Sequence, residues 1–325
     1  MKRVLITGGS GFIGTNLVDH YLARGDEVLN LDIAPPRQPA HAAVWRKVDL
    51  LDAAALSLAV TTFDPQVMLH MAARTDLGGA TVADYAANTA GVSNLIEALR
   101  PLASLKLVVF ASSMLVCRIG YHPKAEDDYA PSTAYGQSKI DGELRVRREA
   151  GDAFPWVMLR PTSIWGPWFG SPYRDFFEAV DRGWYVHPWR RKIYRNYGFV
   201  LNAVHEIDSL VSSGASKLLG RTVYMADYEP IELKSWAGQI QRELGARRVR
   251  ELPIAVFKLA ALVGDALNAV HIRGFPMSSF RLNNLLTDCL LDIAPLERVV
   301  GPLPYDMARG VAVTCQWMKS GRGSR

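Results

Sequence analysis

The segment Thr7-Gly8-Gly9-Ser10-Gly11-Phe12-Ile13-Gly14 follows directly on an apolar run, Val4-Leu5-Ile6, and leads into a helix-like stretch from Leu17 to Arg24. A strand, a glycine turn and a helix in that order bring the backbone close to a pyrophosphate, which then rests on the N–H groups of the helix N-terminus. Val28-Leu29-Asn30-Leu31-Asp32 comes next at the spacing such a unit requires. An acid about 20 residues on, ending the second strand, suits an adenosine ribose hydroxyl. Gly8, Gly11, Phe12, Ile13, Gly14 and Asp32 are therefore expected to contact a dinucleotide.

The chain has 325 residues, 49% of them hydrophobic, enough for a large core and two lobes. No run of about 18 uncharged apolar residues occurs, so no membrane span is expected. The nearest approach, Ile254 to Ile272, carries Lys258, Asp265 and His271. The first strand begins almost at residue 1, which argues against a cleaved leader. Cys117, Cys289 and Cys315 are far apart and suit reduced thiols in a cytoplasmic protein, with no metal-site spacing. A net charge of +5 favours anionic ligands without requiring nucleic acid. The tail, residues 320–325, is expected to be disordered.

Strand-like runs at 3–7, 27–31, 44–48, 66–70, 106–111 and 155–159 alternate with helical patterns at 12–24, 53–62, 82–100 and 134–149. That alternation implies parallel pairing, an α/β doubly wound sheet of Rossmann type. After Arg160 the pattern turns irregular, with Pro161, Gly166, Pro167, Gly170 and Pro172. A nucleotide-binding domain over 1–160 and a smaller substrate lobe over 161–319 are expected, with Val223-Tyr224-Met225 a candidate for return to the sheet.

Tyr135 and Lys139 lie four apart and share one helix face. A free tyrosine has a pKa of roughly 10. A neighbouring ammonium and an oxidised nicotinamide both favour its phenolate. Ser113, at the end of the strand Val108-Val109-Phe110, faces the ligand crevice and is placed to hydrogen-bond the oxygen that Tyr135 deprotonates.

With these residues in view, the chain resembles the extended short-chain dehydrogenases/reductases of the nucleotide-sugar epimerase/dehydratase family, from residue 1 to about 210 and more faintly beyond. The resemblance implies a catalytic set of Ser113, Tyr135 and Lys139, and NAD as cofactor, with NADP left open. It adds Asp49-Leu50 as an adenine contact, and His70-Met71-Ala72-Ala73 as the loop running past the cofactor. It also brings in Asn88, Ser112 and the segment Leu159 to Pro167. Met71, Ala72, Ala73, Pro161, Thr162 and Ile164 would thus line the cofactor, and Arg74, Met114, Ser163 and Arg195 the substrate. It implies a homodimer pairing helices around 82–100 and 134–149, whose apolar positions include Val92, Leu95, Ile96, Leu99 and Leu144.

Departures from the family pattern narrow the reaction. Met114 and Leu115 follow Ser113 where sugar dehydratases carry an Asp-Glu pair, and Leu115 also replaces the cysteine acid of fucose-synthase-like members. Chemistry needing only hydride transfer and Tyr135 remains: C4 epimerisation of a nucleotide sugar, or else a ketoreductase or dehydrogenase. Ser163 replaces the usual asparagine. The stretch Trp184 to Arg195 is basic with interleaved aromatics, and is either a diphosphate- and base-binding segment or a strand pair with one charged face. Nothing elsewhere matches it as a nucleic-acid face. Pro253 to Asp265 forms an apolar helix, a core or cap element, or a lid over a lipid-like substrate as in hydroxysteroid-dehydrogenase relatives. A cofactor-binding regulator without turnover is the reading from another class. The intact Ser113, Tyr135 and Lys139 argue against it.

Overall fold

A computed structural model describes residues 1–215, 217–269 and 277–321. The first half alternates as expected: β1 (Arg3–Thr7), α1 (Phe12–Ala23), β2 (Glu27–Asp32), β3 (Trp45–Lys47), α2 (Ala53–Phe63), β4 (Val67–His70), α3 (Ala90–Leu99), β5 (Leu107–Ala111), α4 (Ala134–Arg145) and β6 (Trp156–Pro161). Then come β7 (Ser163–Trp165), α5 (Tyr173–Asp181), β8 (Val186–Pro188), β9 (Tyr194–Arg195), β10 (Tyr197–Phe199), α6 (Val200–Ser213) and β11 (Thr222–Met225). The chain ends with β12 (Ile231–Glu232), α7 (Leu233–Leu244), β13 (Arg250–Leu252), α8 (Ile254–Ala269), α9 (Ser279–Leu286), α10 (Ala294–Val300) and α11 (Met307–Ser320).

Seven strands form one parallel sheet in the order β11-β6-β5-β4-β1-β2-β3, so Thr222–Met225 does return to it, alongside β6. Both faces are buried, and the two-residue period of a strand divides its side chains between two cores. Val4 and Ile6 of β1 join one apolar cluster and Leu5 the other; Val67 and Leu69 of β4 oppose Met68 in the same way. This is a Rossmann-type fold. The order in which successive strands are added reverses between β1 and β4, and the crevice beyond their carboxyl ends is where such sheets bind ligands. The second half packs on the face that holds Val4 and Leu17, through an aromatic cluster of Trp165, Phe177, Phe199 and Trp236.

Two helix expectations are corrected. The segment 82–100 is not one helix. Val82–Asn88 is a 3-10 stretch kinked at Tyr85, and α3 starts only after Thr89 (φ −122°, ψ −81°). The break falls beside Asn88, whose side chain is held by tertiary hydrogen bonds rather than left on a helix surface. The last turn of 134–149 widens into a π turn over Val146–Ala150. The apolar stripe read as a partner face is also corrected. Val92, Leu95, Ile96 and Leu99 are buried in this chain's own core against the sheet, leaving only Leu144 exposed. Ser320, read as part of the tail, closes α11, and residues 322–325 lie outside the described ones.

Candidate active site and cofactor cleft

The glycine turn is forced by its surroundings. Gly8 has φ +71°, and a Cβ there would sit 2.6 Å from the Ala72 nitrogen; one on Gly14 would sit 2.0 Å from the Gly8 carbonyl oxygen. Only glycine lets the β1 loop close against the β4 loop. The resulting cradle opens α1 at Gly11, with neither a side-chain cap nor an acid in the first turn, and so fits a pyrophosphate. Asp32 ends β2 beside it. Its Oδ2 accepts from the Ser10 N–H at 3.0 Å and its Oδ1 from the Ala34 N–H at 2.9 Å. Arg37 crosses the same edge, donating from Nε to the Ser10 carbonyl at 3.0 Å and to the Trp168 carbonyl. Burial lowers its pKa, and the charge of Asp32 opposes that. The pair thus places an anion and a cation where the adenosine ribose would lie.

Asp49 turns its carboxylate to the Leu51 N–H at 2.9 Å, and the Leu50 carbonyl accepts from Asn94 at 2.9 Å. The Met71 N–H donates to the Thr7 carbonyl at 3.0 Å, which brings Met71, Ala72 and Ala73 across the crevice from the glycine turn. His70, just before them, holds the Thr7 hydroxyl at 2.8 Å; burial, helped by the Lys139 charge, lowers its pKa to about 3. Asn88 binds Arg74 twice, accepting from its N–H at 2.8 Å and donating to its carbonyl at 3.0 Å, and donates to the Ser138 hydroxyl at 3.0 Å. It thereby pins the β4 loop to α4.

The α4 helix starts at Thr133, whose hydroxyl accepts from the Gly136 N–H at 3.0 Å, so Tyr135 and Lys139 lie in its first turns, beneath the end of β5. Tyr135 and Ser113 are brought together: burial raises the tyrosine pKa and a hydrogen bond with Ser113 lowers it. Ser113 also accepts from the Leu115 N–H at 3.1 Å. Lys139 departs from expectation. Its Nζ donates to the Ala111 carbonyl at 2.7 Å, and burial brings its pKa down to about 8 against the pull of Glu143.

Ser112 spends its hydroxyl on Glu143 at 2.6 Å. Glu143 and its partner Arg160 were missed by the sequence reading. Glu143 sits one turn beyond Lys139, and its carboxylate also accepts from the Tyr129 hydroxyl at 2.9 Å. The signal, an arginine inside an otherwise apolar strand, was present in Leu159-Arg160-Pro161.

The substrate side differs more from expectation. The Thr162 hydroxyl is buried without a partner among the described residues, next to Pro161 and two residues before Ile164. Ser163 is engaged by the Tyr173 hydroxyl. Met114 packs with Tyr224, Ala226 and Ile293. Arg74 is exposed, paired with Asp76 at 2.7 Å and lying over the Tyr85 ring. Arg195 is buried, and its guanidinium reaches the backbone carbonyls of Asn284 at 2.6 Å and Leu285 at 3.1 Å. It staples α9 to β9 and does not point its donors at a phosphate. His187 is likewise structural, held between the Tyr185 hydroxyl at 2.9 Å and the Arg191 carbonyl at 2.8 Å.

A glycine cradle, a strand-end acid and a buried Ser-Tyr-Lys set agree with the sequence comparisons. The model of the NAD dependent epimerase/dehydratase family matches residues 4–181. The chain belongs to that family. It is therefore an NAD-dependent enzyme of the extended short-chain dehydrogenase type. Members of this family similar to it include a 3 beta-hydroxysteroid dehydrogenase/Delta 5-->4-isomerase of Mycobacterium tuberculosis, 32% identical over 76% of this chain and 70% of that protein. An N-acetyl-alpha-D-glucosaminyl-diphospho-ditrans,octacis-undecaprenol 4-epimerase of Escherichia coli O157:H7 is 24% identical over 97% of this chain and 95% of that protein. The family fold recurs in a UDP-glucose 4-epimerase of Thermotoga maritima, with TM-score 0.75 at 18% identity over 98% of this chain and 99% of that one. No helix among the described residues is long and apolar enough to cross a membrane.

Proposed function

We propose that this enzyme is a C4 epimerase of a diphosphate-linked sugar, a nucleotide sugar in the first instance, working by transient oxidation. The observation that carries the reading is the composition of the reacting corner. Tyr135 is joined there by Ser113, with Lys139 one helical turn on and bonded to the Ala111 carbonyl, while Met114 and Leu115 leave no second acid beside Ser113. One acid–base group serves a reaction that removes a proton from an alcohol and returns it to the same oxygen. Two relatives support the same chemistry, since both the E. coli and the Thermotoga proteins are named as 4-epimerases.

In this reading Tyr135 takes the proton of the sugar hydroxyl and Ser113 aligns that oxygen. Lys139, whose Nζ here meets the Ala111 carbonyl, would hold the cofactor ribose when NAD is bound. Gly8, Gly11 and Gly14 give the pyrophosphate its cradle and Asp32 holds the adenosine ribose. NAD, when bound, supplies acceptance and return of the hydride and a positive ring that favours the phenolate. Pairing of two copies in the cytoplasm is part of the proposal. The burial of Val92, Leu95, Ile96 and Leu99 leaves that contact to other residues of α3 and α4.

The test is turnover with catalytic NAD on UDP-, GDP-, CDP- and dTDP-sugars, read by chromatography. Epimerised product with no net NADH is expected. Product formed only in step with NADH or NADPH consumption would reject epimerisation. A second reading, oxidation of an apolar secondary alcohol, is favoured by the mycobacterial relative and by Arg195 and Ser163 being engaged inside the protein. NADH release from a 3β-hydroxysterol, with the sugars inert, would establish it instead.

A further inference from the structure

Helix α8 is apolar around almost its whole circumference. One face packs inward, Phe257 and Ala261 meeting Leu282 of α9. The opposite face carries Ala255, Leu259, Leu262, Val263 and Ala266, spaced by threes and fours into a single stripe, and every one is exposed. Leu259 and Leu262 are 65% and 63% exposed. A helix on the surface of a protein surrounded by water turns charge outward at such positions. Asp265, the acid on this helix, is occupied by the Ser279 N–H at 3.1 Å.

The patch continues beyond the helix. Leu252 is exposed just before it, and the Leu252 carbonyl accepts from the Trp189 N–H at 2.8 Å, which sets a half-exposed indole at the patch edge. The rim is cationic. Arg190 lies 4.5 Å from the centre of the Trp189 ring, and Arg191 and Lys192 follow, all exposed and none in a salt bridge among the described residues. They open a trough in which Arg242 and Arg248 join them and two carboxylates also lie, Glu251 paired with Lys234 at 2.7 Å and Glu232 held by the Lys234 and Ser235 N–H groups, so the cations outnumber the acids.

We propose that this face docks on an anionic phospholipid bilayer. α8 would lie in the headgroup layer, Trp189 at the boundary, and Arg190, Arg191 and Lys192 on the lipid phosphates. At 16 residues α8 is about 24 Å long, too short to span a bilayer and suited to lying on one. Trp beside Arg and Lys at the margin of an apolar surface is the composition of a membrane interface. Charge decides the occupant. A second copy seated here would bring the same unpaired cations, whereas anionic headgroups neutralise them. The docking face is one helix layer from the substrate wall, because α9, on which α8 rests, is the helix that Arg195 holds. The inference stands whichever alcohol the site oxidises.

Vesicle co-sedimentation of the intact chain tests it. Binding to phosphatidylcholine/phosphatidylglycerol vesicles is expected, much weaker on phosphatidylcholine alone and weakened by salt. L259E/L262E should stay in the supernatant. R190A and R191A should each lower the partition coefficient about fivefold. Circular dichroism matching the unmodified protein certifies the variants, and L259S/L262S is read in place of any glutamate variant that unfolds. An unmodified protein left in the supernatant with both vesicle types overturns the proposal. If sedimentation velocity then shows a dimer that L259E/L262E converts to monomer, the face belongs to a second copy.

Discussion

The Arg160 guanidinium straddles the Glu143 carboxylate, with Nε–Oε1 at 2.8 Å and Nη2–Oε2 at 2.7 Å, and both side chains are buried. The pair ties the helix carrying Tyr135 and Lys139 to the strand leading into the substrate side. Removing Arg160 leaves the buried Glu143 carboxylate with only the longer Arg147 contact at 3.5 Å as a cationic partner, a loss bounded above by the about 3–5 kcal/mol typical of a broken buried pair. Arg160→Met should therefore unfold at markedly lower denaturant concentration, and Arg160→Met/Glu143→Leu should recover part of the loss. A double variant less stable than either single one would contradict this account.

Tyr135→Phe removes the hydroxyl and little else. Turnover should fall about 100- to 10,000-fold, while NAD affinity by fluorescence titration stays near that of the unmodified enzyme. Ser113→Ala should lower the rate less. Lys139→Ala should weaken both rate and NAD binding, since Lys139 is assigned to the ribose as well.

His70 predicts a signed pH effect. Its folded pKa, lowered to about 3 chiefly by burial, compares with about 6.5 in the unfolded chain. Between those values only the unfolded chain binds the proton, so this residue's contribution to stability is present above pH 6.5 and is lost as pH falls toward 3. Asp227, raised to about 6 by burial, acts in the opposite sense over the upper part of that range. The informative measurement is thus the difference between the unmodified protein and His70→Gln. The stability gap should shift in favour of the variant as pH falls from 6.5. A gap constant with pH would remove His70 from the account.

Asp32 should make NAD the tighter cofactor, since a carboxylate repels a ribose phosphate. Asp32→Ala should erode that preference by strengthening NADPH relative to NADH, with Arg37 then free to meet the phosphate. Competition titrations that rank NADPH first in the unmodified protein would reverse the assignment.

The strand, glycine turn and helix were legible because Val4-Leu5-Ile6, Gly8, Gly11 and Gly14 signal them within one short segment, although what demands glycine at Gly8 is Ala72, from a distant loop. The break after Asn88 was not, because Arg74 and Ser138, which hold that side chain, come from distant segments. Thr81 and Asp84 form a capping box at the start of that stretch, but nothing local marks its interruption. The stripe of Val92, Leu95, Ile96 and Leu99 correctly signalled a buried face, yet periodicity does not say whether the sheet or another chain buries it. Arg195 reads as a ligand for phosphate in sequence, and only the backbone of α9, some 90 residues on, reveals where its donors go.

Those donors are satisfied by neutral carbonyls, and no carboxylate pairs with Arg195 among the described residues. Its bonds to the Tyr194, Asn284 and Leu285 carbonyls fix the guanidinium in place and leave its monopole without a counter-charge. Buried beside Tyr197, whose pKa it lowers against the opposing effect of burial, it leaves a fixed positive potential in the wall next to Tyr173 and Ser163. An anion entering there is attracted through space without being grasped, so affinity for the charged portion of a substrate need not come with a preference for one hydrogen-bonding geometry.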